Sequence, residues 1–169
     1  MRVKTVVGKL KFSKNVKLVV TDFDGVITDN NVYIDENKNM SRKLNFRDVM
    51  AFSLLKKNDI KIAIISGEEN SAMNLVAEKF GIKDVHGNIR LKKAVLQNII
   101  DKYELKDDEY IYIGDDVNDR ECLEMAKFKV TVKNAHKSIF RIKNIQITQN
   151  NGGEGAFREI VDKILEYKK

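Results

Sequence analysis

An alternation constrains this chain's fold more than any other feature. Short β-rich apolar runs occur at Val16–Thr21 (VKLVVT), Lys61–Ser66 (KIAIIS), Tyr110–Ile113 (YIYI) and Phe128–Val132, with a short fifth at Ile145–Thr148. Longer stretches of helical periodicity follow or separate them, covering Asp48–Asn58, Ser71–Phe80, Leu91–Tyr103, Asp119–Ala126 and Gly155–Tyr167. Leu91, Val95, Ile99 and Tyr103 fall on one helix face, as do Ile160, Ile164 and Tyr167. Strands that alternate with helices are joined by crossovers, which predicts an α/β fold with a mostly parallel sheet covered on both faces. One segment breaks the rhythm. Val32–Ile34 and Met40–Asn45, joined by the polar turn-forming loop 35–39, predict a β-hairpin inserted after the first strand.

Charge and cysteine content narrow the function. The net charge of +6 would point to nucleic acid if it were spread over the folded surface. It is not. Arg2, Lys4, Lys9, Lys11, Lys14 and Lys17 stand in residues 1–17 without an acid, and 18–169 carry 25 charges of each sign. The expectation is therefore a basic N-terminal extension, 1–17, ahead of a formally neutral domain, 18–169, with neither nucleic acid nor a membrane as partner. One cysteine, Cys122, excludes an internal disulfide and a thiolate zinc site. No run approaches a membrane span and the start has no continuous apolar signal core, so a cytoplasmic protein is expected.

Polar residues gather where three β-rich runs stop, the end at which open α/β sheets bind ligands. Asp22 and Asp24 close the first run, so that one carboxylate can attack while the other reaches a leaving-group oxygen. Gly25 then permits close backbone approach to an anion. Ser66 and Gly67 close the second run with a hydroxyl and an unobstructed N–H, and Asp115 and Asp116 close the third. Carboxylates crowded in one place repel unless a cation neutralises them, and oxygen ligands without a Cys or His cluster suit Mg2+. A lysine from the Leu91–Tyr103 stretch is placed to stabilise charge on a phosphoryl group.

Asp22-Phe23-Asp24-Gly25-Val26-Ile27-Thr28, Ile65-Ser66-Gly67, the helix lysine and Gly114-Asp115-Asp116-Val117-Asn118-Asp119 resemble the four motifs of haloacid dehalogenase superfamily phosphatases. With no room for a cap domain and with a Gly152–Glu159 tail reading GGEGAFRE, the chain is most similar to the capless branch. The resemblance implies a Rossmann-like fold and an aspartyl-phosphate mechanism. Asp22 would be the nucleophile and Asp24 the acid and base, with Ser66 binding the phosphoryl group. Asp22, the backbone carbonyl of Asp24 and Asp115 would hold Mg2+, supported by Asp116 and Asp119. Distance back from Gly114 favours Lys92 as the catalytic lysine, with Lys93 the runner-up. A homotetramer is implied, its hairpins packed together and its tail motif helping to close a neighbour's site.

The branch acts on small acidic sugar phosphates. Glu68, Lys79 and Glu154 favour a nine-carbon 2-keto-3-deoxy-nonulosonate 9-phosphate, bound with help from Gly25, Gly67 and Arg158. Asn45-Phe46-Arg47-Asp48 favours the alternative, 3-deoxy-manno-octulosonate 8-phosphate. A reading from another class is a non-catalytic oligomerisation module, such as the one fused to sialic acid cytidylyltransferases. The intact set Asp22, Asp24, Ser66, Lys92 and Asp115 argues against it.

Overall fold

The computed structural model describes residues 7–169. In chain order its elements are β1 (Leu18–Thr21), β2 (Tyr33–Ile34), β3 (Met40–Ser41), α1 (Phe46–Lys57), β4 (Lys61–Ile65), α2 (Ser71–Phe80), β5 (Asp84–His86), α3 (Lys92–Lys102), β6 (Tyr110–Ile113), α4 (Arg120–Met125), β7 (Phe128–Thr131), β8 (Gln146–Ile147) and α5 (Ala156–Glu166). Six strands form one sheet in the order β5-β4-β1-β6-β7-β8, with every pairing parallel. β2 and β3 form a separate antiparallel pair, the inserted hairpin.

The central strands are buried on both faces, and their side chains alternate between two apolar clusters. Val19, Ile64, Ile111 and Ile113 point to one side, where Phe52 and Leu55 of α1, Met73 and Val76 of α2, and Phe157, Ile160 and Ile164 of α5 cover them. Leu18, Val20, Ala63, Ile65, Tyr110 and Tyr112 point to the other, under Leu96 and Ile99 of α3 and Cys122 and Leu123 of α4. A chain with this parallel connectivity has its strand C-termini along one edge, which is where the polar motifs lie.

Two features depart from the sequence reading. β5 is not among the apolar runs: its three residues, Asp-Val-His, make an edge strand whose polar ends hide it from a hydrophobicity pattern. Asp84 anchors it, accepting hydrogen bonds from Lys102 Nζ at 2.6 Å and from Tyr103 Oη. The hairpin is also shorter than expected, since pairing ends at Ser41 and does not continue to Asn45. Its turn is built by Asp35, whose Oδ1 accepts from the backbone N–H groups of Asn37 and Asn39.

The segment set apart by its charge is woven into the core from Leu10 onward. Lys9, Lys11, Lys14 and Lys17 are exposed, whereas Leu10, Phe12 and Val16 are buried in the same cluster as β1. Val7 bridges to Ile147 and Gly8 N donates to Ile147 O at 2.8 Å, laying this stretch beside β8. Arg2 and Lys4 lie outside the described residues. Among the described residues, no helix is long and apolar enough to cross a membrane.

Candidate active site

The register of the sheet brings the motifs together. Thr21, the last residue of β1, is level with Ile64 of β4 and Ile113 of β6. The chain segments that leave these three adjacent strands therefore emerge side by side. They line a cleft of about 320 Å3 with Asp22, Asp24, Ser66, Gly67, Glu68, Asp115 and Asp116, joined by Asn30, Val117 and Asn118.

Lys92 is the hub of its buried floor. Its side chain has no exposure, and Nζ lies 3.0 Å from Asp22 Oδ1 and 2.8 Å from Asp119 Oδ1. It occupies the first position of α3, where a cation opposes the helix dipole. The two carboxylates offset that penalty. Burial pulls the Lys92 ammonium down, but Asp22 and Asp119 outweigh it and raise its pKa above the ordinary lysine value. Lys93, the alternative, is exposed on the same helix.

Asp119 has no oxygen to spare. Oδ1 accepts from Lys92 Nζ and from Tyr112 Oη at 2.7 Å, and Oδ2 accepts from the backbone N–H groups of Asp115 at 3.0 Å and Asp116 at 3.3 Å. It holds the lysine and the turn that carries Asp115. Asp116 caps that turn through its side chain and the Val117 N–H.

Asp115 is the opposite case. It is buried, and its Oδ1 has no hydrogen-bond partner among the described residues. Burial, reinforced by Asp119 and Asp116, pushes its carboxyl up to about 7. Burial, with Asp119 next in weight, likewise raises Asp22 well above the usual carboxylate range, against the pull of Lys92. One oxygen from each of Asp22, Asp115 and Asp119 lies within 4.8 Å of the others. Three buried carboxylates face one ammonium, and one oxygen of Asp115 has no partner among the described residues. That surplus of hard anionic donors fits a divalent cation such as Mg2+. Because the oxygens of Asp119 are engaged, Asp22 and Asp115 are the side chains free to hold it.

Asp24 faces the same cleft from the loop after β1. Its Oδ1 receives Arg42 Nε at 2.8 Å and Thr28 Oγ1 at 3.1 Å, and its Oδ2 receives Asn70 Nδ2 at 3.3 Å. Ser66 closes β4, is buried, and accepts the Glu68 N–H on Oγ at 3.3 Å.

Some expected site residues are elsewhere or do something else. Gly25 also has a packing role. A Cβ there would come within 2.0 Å of Asp115 Oδ2, so the absent side chain makes room for the buried carboxylate. Lys79 is exposed near the far end of α2, roughly 13 Å along the helix from Asn70 at its start. Arg158 pairs with Asp162 at 2.7 Å and lines a separate groove with Arg47 and Lys163. Glu154 lines that same groove. The tail motif touches the loop after β1 of its own chain: Gly153 N donates to Val26 O at 3.0 Å. Arg42, Asn70 and Tyr112 escaped the sequence reading. Arg42 and Asn70 reach Asp24 across 18 and 46 residues, separations that leave no local signal. Tyr112 sits inside an apolar run where its hydroxyl is invisible.

Comparison with known proteins gives a consistent picture. A family described as haloacid dehalogenase-like hydrolase matches residues 30–160. The 3-deoxy-D-manno-octulosonate 8-phosphate phosphatase of Escherichia coli is 27% identical over 153 residues, covering 90% of this chain and 81% of that one. The enzyme of the same name from Haemophilus influenzae is 28% identical over 155 residues, covering 90% and 84%. Among solved structures, the Moraxella catarrhalis octulosonate 8-phosphate phosphatase, in complex with magnesium, phosphate and the sugar acid, superposes with a TM-score of 0.86. It is 26% identical and covers 92% of this chain and 88% of its own. A Legionella pneumophila hydrolase assigned to subfamily III A has a TM-score of 0.87 and 31% identity, with 92% and 85% covered.

Proposed function

The chain belongs to the haloacid dehalogenase-like hydrolases and is a phosphoric monoester hydrolase, and from that premise we propose that it removes phosphate from a sugar acid, 3-deoxy-manno-octulosonate 8-phosphate. The observation that carries this reading is the Asp22–Lys92–Asp119 chain set beside Asp115, whose oxygen has no partner. The eight-carbon substrate replaces the nine-carbon one expected from Glu68, Lys79 and Glu154. The Escherichia coli, Haemophilus influenzae and Moraxella catarrhalis relatives are octulosonate 8-phosphate phosphatases, and of Glu68, Lys79 and Glu154 only Glu68 lines the cleft.

In this proposal Asp22 attacks phosphorus and becomes an aspartyl-phosphate, while Asp24 gives its proton to the departing sugar oxygen. Asp24 then takes a proton from the water that cleaves the acyl phosphate, releasing inorganic phosphate and restoring Asp22. Lys92, held by Asp119, keeps Asp22 oriented and balances charge that builds on the transferring group. Ser66 binds phosphoryl oxygens. Asp22, Asp115 and the carbonyl of Asp24 are the groups that would hold Mg2+. When bound, that ion neutralises the clustered carboxylates and the phosphate charge. Residues 18–169, together with the buried stretch from Leu10, form the catalytic domain.

We infer a homotetramer located in the cytoplasm. Support for the assembly comes from the hairpin, where Val32, Tyr33, Ile34 and Met40 are exposed, with Phe46 and Met50 of α1 also exposed. Light scattering and cell fractionation test these two statements.

The decisive measurement is kcat/KM of the purified protein with Mg2+ on the eight- and nine-carbon sugar-acid phosphates, repeated with chelator. Preference for the octulosonate, lost with chelator and in Asp22→Ala, is the expected result. Preference for the nonulosonate would restore the first substrate reading. No turnover of either sugar-acid phosphate would overturn the substrate proposal.

A further inference from the structure

We propose that Arg42, which leads out of the hairpin, is a positioning residue that aims Asp24 at the leaving-group oxygen. The proposal rests on the acid and base role given to Asp24 above. Arg42 follows β3 directly, yet its side chain is only 6% exposed, less than the 20% of the Asp24 side chain it meets. A guanidinium so buried needs a carboxylate partner, and Asp24 supplies it at 2.8 Å.

The contacts divide the two oxygens of Asp24 unequally. Oδ1 accepts from Arg42 Nε and Thr28 Oγ1, whereas Oδ2, among the described residues, meets only Asn70 Nδ2 at 3.3 Å. Thr28 is itself fixed, because its hydroxyl oxygen also accepts from the Gly25 and Asn30 N–H groups at 3.2 and 3.3 Å. Asn70 is fixed as the N-cap of α2, accepting the Met73 N–H at 2.9 Å. Oδ1 is thus clamped, and Oδ2 is the oxygen left to exchange a proton with substrate. Lys43, the next residue, pairs with Asp29 at 2.7 Å and ties the hairpin exit to its entrance. The hairpin therefore holds the Asp24 rotamer through one rigid cation. The planar guanidinium suits this task, since its Nε–H is directed along a fixed line.

A leaving-group comparison separates aiming from simple anchoring. kcat/KM reports only steps through departure of the leaving group. An alkyl sugar oxygen needs a proton to leave, and p-nitrophenolate does not. Arg42→Gln is expected to lower kcat/KM for octulosonate 8-phosphate on the order of 100-fold while changing that for p-nitrophenyl phosphate by less than about threefold. Asp24→Asn should show the same contrast, and Arg42→Lys a smaller one in the same direction. If Arg42→Gln does not fold, the contrast in Arg42→Lys carries the test. Equal loss on both substrates in the Arg42 variants, with Asp24→Asn keeping its contrast, would overturn the aiming role alone. Absence of the contrast in Asp24→Asn would overturn the acid and base reading and this proposal with it.

Discussion

Lys92 and Asp119 form an ion pair with no exposed side-chain surface on either partner, at 2.8 Å. Twenty-seven residues separate them, and the pair joins the start of α3 to the turn after β6. A pair so buried adds little when intact, but removing one member strands the other. Asp119→Ala leaves Tyr112 Oη and two backbone N–H groups without this acceptor, and leaves Lys92 with Asp22 in place of two carboxylates. Urea unfolding should show a loss of about 3–5 kcal/mol. Asp119→Asn should lose less, because it keeps one acceptor oxygen.

Asp115 should trade stability for metal. Its buried carboxyl, pushed up to about 7 by burial and neighbouring carboxylates, is uncomfortable without a cation. Asp115→Asn is expected to be more stable than wild type in chelator at neutral pH, by roughly 1–3 kcal/mol. Added Mg2+ should raise the Tm of wild type by mass action and leave the variant nearly unchanged. Thermal melts with and without Mg2+ check both halves.

The tail presses on the loop after β1 at Gly152. A Cβ there would lie 1.7 Å from Gly25 O and 2.7 Å from Gly25 C, backbone atoms that cannot swing aside. Gly152→Ala should therefore cost about 1–3 kcal/mol or more and lower kcat through displacement of the loop bearing Asp22 and Asp24. Full activity at wild-type Tm would show that the tail yields instead.

Asp48 links pH to the same tail. Its carboxylate is buried on α1 and accepts the N–H groups of Gly155 and Arg158, both at 2.9 Å. Burial raises its pKa, and the backbone donors only partly counter it. Its folded value therefore exceeds the unfolded one, and the folded state holds the proton more tightly. The contribution to stability is greatest below the unfolded value and declines as pH rises through the folded one. Stability measured between about pH 4 and pH 7 should fall less steeply with pH in Asp48→Asn than in wild type. Parallel slopes would exclude Asp48 as the titrating group.

Much of the site could be read before folding, for a physical reason. Parallel strands must be joined by helices, so their C-terminal ends share one edge, and any polar residue that directly follows a β-rich run arrives there. That logic reached Asp22, Asp24, Ser66 and Asp115, and the family resemblance, through the distance back from Gly114, reached Lys92. It failed where the signal was not local. β5 has three residues and no apolar run. Leu10 and Phe12 alternate with Lys9 and Lys11 at period 2, the mark of a half-buried segment, but Lys14 falls on the same phase and breaks the pattern before Val16.

What the amino-acid order by itself determined was the alternation of elements, the edge where chemistry collects and the residue types that gather there. Only the tertiary structure decided which atoms meet. It showed that the space above Gly25 belongs to Asp115, that Asp119 is saturated while Asp115 is not, and that Arg42 closes on Asp24. It also left Lys79 and Arg158 outside the cleft. Backbone pattern is a one-dimensional property and survives in sequence. The pairing of buried charges depends on side-chain reach across distant segments, and the low-dielectric interior makes those distances decisive.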